Sequence, residues 1–354
     1  MIITDKSYIA DRLKHLKDVV PPRATSMPEG ILVKGNQLIA DSFDIGISTE
    51  IETDNTDEFL LPLRAIDFIQ SLPAGEVRIK GTDKSVTVEC AAGKSRFTTA
   101  PAADFMRLNP FRIDAKGENK LGAEAFCVAV GRVIYACDLR GRNDVAKGVY
   151  FDGDGTTLNI VAMDGYRLAI TSIPYADEIH CIIPHRAVSK LLSLRLTGQI
   201  SLSYGKDRAV FSCGGYTISV KRICKDYINY RALFDVAPVV TVKVRADELS
   251  DAAKRAMICS TGYKSHVVLR RDNNAPDVLT VTSLSPTADY TAEVGITGAN
   301  DTEILFGANP TYLIDSLKAG GDGEAEIAYV SSTAVMRICC DQTTALIMPV
   351  RIRE

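Results

Sequence analysis

The sequence predicts an α+β chain built as three tandem repeats, each of two helices packed on β-sheet. Two sets of matching segments and one recurring pattern lead there. LPLRAIDFIQSL (61–72), IPHRAVSKLLSL (183–194) and FGANPTYLIDSL (306–317) share a turn residue, an apolar helical stripe and a terminal Ser-Leu, and begin 122 and 123 residues apart. Upstream of each lies a matching block, beginning at Gly30, Gly148 and His266, 118 residues apart each time. Every third also closes with short alternating segments of the strand type.

The 354 residues divide at this spacing into modules 1–116, 117–238 and 239–354, each long enough to bury a core. The junctions fall at RIDAKGENK (112–120) and DVAPVV (235–240), where polar or Pro-containing segments interrupt the pattern.

The opening helix of the first module is expected over about Asp5 to Val19, with Ile9, Leu13, Leu16 and Val20 forming its buried stripe. In the second module it runs over about Ala123 to Leu139 and buries Phe126, Val130, Val133 and Cys137. In the third, about Ala246 to Ser260, Leu249, Ala253 and Met257 lie opposite Lys254 and Arg255. The segments 76–100, 199–223 and 324–352 read as strands joined by polar or Gly-containing turns. Each fully buried Val, Ile, Leu or Phe contributes roughly 1.5–3 kcal/mol, so a one-residue slip exposing such a face is ruinous.

Composition narrows the function. With 41 basic and 44 acidic residues the net charge is -3, which disfavours nucleic-acid binding by bulk attraction but leaves room for a local basic lining. No apolar run reaches the roughly 18 residues of a membrane span, and the charged start MIITDKSYIADRLKHLKD is unlike a signal peptide, so a soluble, cytoplasmic protein is expected. The nine cysteines contain no Cys-x-x-Cys pair, which suits reduced thiols. Cys127, Cys137, Cys213 and Cys259 read as small hydrophobes in apolar or small-residue stretches. His180, Cys181 and His185 are the one cluster with the look of metal ligands, but no second ligand pair completes it; no metal or cofactor is expected.

An enzymatic reading would use Asp164, Arg167 and the histidines as an acid–base group. Against it stands the lack of a Gly-rich phosphate loop, a metal-ligand cluster or a nucleophile motif. In MDGYRLA (163–169) the Asp-Gly pair follows an apolar strand and is first a hairpin turn. The C-terminal ALIMPVRI (345–352) is apolar enough to stay ordered, as a last strand and as one wall of a groove.

Joined together, LPLRAIDFIQSLPAG (61–75), SRFTTAPAADF (95–105), VAMDGYRLA (161–169), DYINYR (226–231) and MPVRI (348–352) make the chain resemble the bacterial DNA polymerase processivity factors, the β sliding clamps, over its whole length. The resemblance implies three DNA-clamp modules per chain and a head-to-tail homodimeric ring, with helices lining a hole through which duplex DNA passes without sequence-specific contact. It implies no catalysis. Partners would be the polymerase catalytic subunit, a clamp loader and other proteins that insert a short peptide between the second and third modules.

Carried over by the resemblance, the peptide site involves Met163, Gly165, Tyr166, Arg167, Leu168, Ile228 and Leu233, with Asn309, Tyr312, Leu346, Ile347, Met348, Pro349, Val350 and Arg351 from the third module. Lys264 and Ala146 stand where the family carries larger apolar groups, which shifts the expected anchor preference. Candidate DNA-facing cations are Lys14, Lys17, Arg23, Arg132, Arg140, Arg142, Lys190 and Lys254. Screening over roughly 8 Å at physiological salt would keep a loosely fitting duplex from being held tightly. The ring joint implied by the resemblance sets Phe97 and Thr99 against Met257, Ile258, Cys259 and Tyr263, with Phe97 and Ile258 as the apolar pair. Thr99 and Cys259 replace bulkier apolar residues of the family. A monomeric peptide-binding scaffold that never encircles DNA is the alternative, and solution mass separates the two.

Overall fold

One order of elements recurs three times in the computed structural model, which describes residues 1–20, 28–106, 120–260, 266–285, 288–298 and 300–352. The first round is β1 (Ile2–Asp5), α1 (Lys6–Lys17), β2 (Ile31–Lys34), β3 (Gln37–Asp41), β4 (Ile45–Glu50), β5 (Glu58–Leu61), α2 (Leu63–Ser71), β6 (Glu76–Gly81), β7 (Ser85–Cys90) and β8 (Gly93–Thr98), followed by a short helix α3 (Ala102–Met106). The second is β9 (Lys120–Gly122), α4 (Ala123–Gly131), β10 (Gly148–Asp154), β11 (Thr157–Met163), β12 (Arg167–Pro174), β13 (Glu178–Pro184), α5 (His185–Ser193), β14 (Gln199–Tyr204), β15 (Arg208–Cys213) and β16 (Tyr216–Lys221). The third is β17 (Val240–Arg245), α6 (Ala246–Cys259), β18 (Val267–Arg271), β19 (Val278–Leu284), β20 (Asp289–Thr297), β21 (Ile304–Ala308), α7 (Pro310–Ala319), β22 (Glu324–Tyr329), β23 (Met336–Cys340) and β24 (Thr343–Ile347). Arg23, Tyr263, Lys264 and nearly all of the junction at 112–120 lie outside the described residues.

Sheets run across the repeats. Strand β4 pairs antiparallel with β16, and β12 pairs with β24. The chain therefore divides into two compact units whose boundary cuts through the second repeat: Met1–Glu124 with Lys190–Arg222, and Ala125–Ser189 with Ile223–Glu354.

The first unit holds a four-stranded sheet, β1-β6-β7-β8, and an eight-stranded one, β5-β2-β3-β4-β16-β15-β14-β9. Asp5 caps α1, its carboxylate accepting from Ser7 N at 2.8 Å and Tyr8 N at 3.3 Å. Ile9, Leu13 and Leu16 are buried as the helical period requires. The helix stops at Lys17, however, and beyond it Val19 goes inside while Val20 stays half-exposed, so the stripe's expected fourth member is replaced by its neighbour. On α2 the buried face is Ala65, Ile66 and Ile69. Gly81 gives the fully buried Phe59 ring its place, since a Cβ there would lie 1.9 Å from the ring.

The second unit holds a twelve-stranded sheet ordered β13-β10-β11-β12-β24-β23-β22-β17-β20-β19-β18-β21. Helix α4 is shorter than its apolar pattern suggests. It ends at Gly131, a poor helix former, and a 3₁₀ turn over Ile134–Ala136 follows; Asp138 then accepts from Arg140 N and Gly141 N, fixing a loop where helix was expected. Phe126, Val130, Val133 and Cys137 are nonetheless all buried. Helix α6 buries Leu249, Ala252, Ala253 and Ala256, while Met257 stands 40% exposed, contrary to the expected stripe. Pro310 at the first turn of α7 and the Asn309 cap, accepting from Thr311 N at 3.0 Å, start that helix sharply.

Candidate functional site

The site is built on the β11–β12 hairpin of the second unit. Asp164 closes its turn, Oδ1 accepting from Tyr166 N at 2.8 Å and Arg167 N at 2.9 Å. Gly165 has φ +90°, a conformation L side chains rarely adopt. The Asp-Gly signal in the sequence thus marks a real hairpin turn.

Pairing across strands sets one row of side chains on one sheet face: Met163 opposite Leu168, Leu168 opposite Leu346, Leu346 opposite Arg337, and Arg337 opposite Ala328. Above the apolar end of this row lies a depression of about 240 Å³. Met163, Gly165, Tyr166, Arg167, Leu168, Leu346 and Met348 line it, and Ile228 and Leu233 of the 223–238 segment close its side. All nine were expected from the sequence. Val335, the tenth lining residue, was not.

The other expected residues do not line the depression. Ile347 points to the opposite sheet face and is fully buried. Asn309 spends its side-chain oxygen on the helix cap. Beyond β24 the tail carrying Pro349, Val350 and Arg351 has no regular structure, yet Met348 N donates to Tyr166 O and Val350 N to Gly307 O, both at 2.8 Å.

Arg167 is a fastener more than a free cation. Its guanidinium donates to Asp164 Oδ2 at 2.9 Å, Asp315 Oδ2 at 2.7 Å and Tyr135 O at 2.6 Å, and lies 4.4 Å over the Tyr312 ring. It ties the turn to α7. Burial pushes the Tyr135 hydroxyl and the Cys137 thiol up to about 12, so both stay protonated near neutral pH and neither serves as a base.

A second anchor holds the 223–238 wall. Buried Asp152 accepts from Tyr230 OH at 2.5 Å and pairs with Arg231 at 2.7 Å, while His180 Nδ1 lies 2.9 Å away. Tyr227 stacks on Tyr150, centroids 4.5 Å apart, and burial raises the Tyr150 hydroxyl to about 12. Asp152 stands 78 positions before Tyr230, so spacing alone gave no sign of this anchor.

Among the expected DNA-facing cations, Lys14, Arg140 and Arg142 are exposed. Lys17 is bonded to Asp67, Arg132 pairs with Asp341 at 2.6 Å and Lys254 with Asp251 at 2.6 Å. Lys190 is only 9% exposed and bonded to Asp18 at 2.8 Å. Of the expected joint residues, Phe97 packs on Phe68 with centroids 5.6 Å apart, and Thr99 Oγ1 donates to Leu60 O at 2.7 Å. Ile258 is 78% exposed, and Cys259 is half-buried beside it. Among the described residues no cluster of three or more metal-ligating side chains occurs, and no helix is long and apolar enough to cross a membrane.

No family model matches the chain. Curated relatives do: the beta sliding clamp of Salmonella typhimurium is 25% identical over 304 residues, covering 81% of this chain and 79% of the relative. That of Pseudomonas aeruginosa is 24% identical over 349 residues, 91% of each. Among solved structures, a Pseudomonas aeruginosa DNA polymerase sliding clamp with ligand superposes with a TM-score of 0.91 at 19% identity, covering 99% of both chains. The chain is a remote homologue of the beta sliding clamps, with their fold over its whole length. The likeness supports a non-catalytic processivity role in DNA replication, with DNA and a DNA polymerase as the partners it implies. The repeated element order and the α+β layering are those of the clamp fold.

Proposed function

We propose that two copies of this clamp close head to tail into a ring around duplex DNA, and that the apolar depression takes a short linear peptide from the polymerase, the clamp loader and other partners. The ring reading rests on one observation. Twice within the chain the fourth strand of one repeat pairs with the last strand of the next, β4 with β16 and β12 with β24, and the third such pair is left open, with β8 at a sheet edge and β20 bonded at that side only through Thr297 and Ile296. A second copy would complete it in the same sense. Transferring the internal register puts Gly93 opposite Ala292 and Ser95 opposite Tyr290 of that copy, because Gly93 answers to Tyr216 and Thr343 in the hairpins while Ala292 answers to Thr49 and Thr171. Phe97 then meets the third module, where Ile258 offers the exposed apolar surface.

In this reading the module edges fall near 116 and 238, and the chain acts in the cytoplasm. Lys14, Arg140 and Arg142, all exposed, supply positive charge toward the phosphates, while Lys17, Arg132, Lys190 and Lys254 are partly neutralised by their carboxylate partners. Sedimentation equilibrium over a concentration series tests the ring. A mass near twice 38.4 kDa is expected, falling to that of one chain in Phe97→Asp. A wild-type protein that stays monomeric at every concentration defeats the ring and leaves a peptide-binding scaffold.

A further inference from the structure

We infer that Arg337 makes the peptide groove select partners carrying an acidic residue close to their apolar anchor. The inference deepens the peptide-pocket reading and rests on it. Arg337 occupies the same cross-strand row as the pocket floor, one strand beyond Leu346 and two beyond Leu168. Neighbouring strands lie about 4.8 Å apart, so the Cα of Arg337 sits roughly 10 Å from that of Leu168. An extended peptide rising about 3.4 Å per residue covers that distance in three residues.

The two places are continuous. A narrow crevice of about 20 Å³, lined by Arg337, Ala328 and Val330, shares Leu233, Val335 and Leu346 with the main depression. It is too small for an apolar side chain and large enough for one oxygen atom, the size of a water. Arg337 makes no ion pair with any described residue, and its Nε is buried without a hydrogen-bond partner. A donor buried in that way is costly until an acceptor arrives. A carboxylate with one oxygen in the crevice and the other toward the exposed side matches the two-pronged geometry of a guanidinium. The rest of the groove is apolar except for Arg167, whose charge is already met by Asp164 and Asp315, so the charge sign of the occupant is set mainly here.

The test uses the full-length chain and three synthetic peptides with one Leu-Phe anchor: Glu three residues before it, Glu three residues after it, and Gln at both places. One Glu peptide is expected to bind wild-type protein about tenfold tighter than the Gln peptide, with the advantage shrinking as salt rises. Arg337→Gln should abolish that advantage, so that the Glu and Gln peptides bind the variant alike. Arg337→Glu should reverse it. Equal affinities of all three peptides for wild-type protein, or an advantage that survives Arg337→Gln, would overturn the assignment and leave the apolar pocket standing. Failure of every peptide to bind wild-type protein would defeat the pocket reading and this one together.

Discussion

Arg167→Ala should lower the stability of the second unit by about 3–5 kcal/mol, the usual cost of removing one partner from a buried ion pair. The side chains of Arg167 and Asp164 are each 11% exposed and that of Asp315 32%, so truncation leaves two carboxylates poorly solvated and no cation between them. It also strips a carbonyl of its donor at Tyr135 and a cation from the face of Tyr312. Arg167→Lys should recover only part of the loss, because an ammonium cannot donate along three directions in one plane. Urea titration of the full chain, followed by a probe in the second unit, reads the shift. If the midpoint of Arg167→Ala matches wild type, the two tyrosines and the Asp164 turn hold the hairpin without it.

Gly307→Val should release the C-terminal tail and reduce peptide affinity at least about tenfold. A Cβ at Gly307 would stand 2.3 Å from the Val350 carbonyl oxygen and 3.0 Å from Ile352 Cγ1, and backbone cannot yield as a flexible side chain does. The 2.8 Å bond from Val350 N goes with it, and Met348, one wall of the depression, loses its downstream anchor. The stability cost should stay within about 1–3 kcal/mol, the range for overpacking, because the displaced segment follows the last strand. Truncation after Ile347 should reproduce the peptide defect without changing the molar mass in solution. Peptide titration by calorimetry checks both variants, and wild-type affinity in either would remove the tail from the site.

Much of the fold could be read from periodicity, since it depends on residues near one another in the chain. The repeated Ser-Leu helices, the Asp164 turn and the buried faces of α1 and α4 are of this kind. What could not be read depends on partners distant in sequence. Lys190 looked like a free cation because Asp18 lies 172 positions away. Arg337 joined the groove only through the register of β23 on β24, with Val335 just ahead of that strand, and alternation along either strand does not fix this. The early end of α4 had a local sign in Gly131, outweighed by the apolar spacing that continues to Cys137. Met257 carries the helical spacing of a core residue, and only its exposure separates it from Ala256.

The open edges of β8 and β20 differ in sequence and in surroundings: β8 shows Lys94 and Arg96 to solvent, whereas β20 alternates Glu293 with buried Val294. A bond between unlike edges has no built-in stop, because every newcomer brings along a fresh copy of the edge it has just covered. Whether such a chain of associations bites its own tail or grows into a thread depends on the angle turned at each step. Small changes in how one repeat leans on the next could therefore turn a finite assembly into a fibre without altering a single residue at the joint.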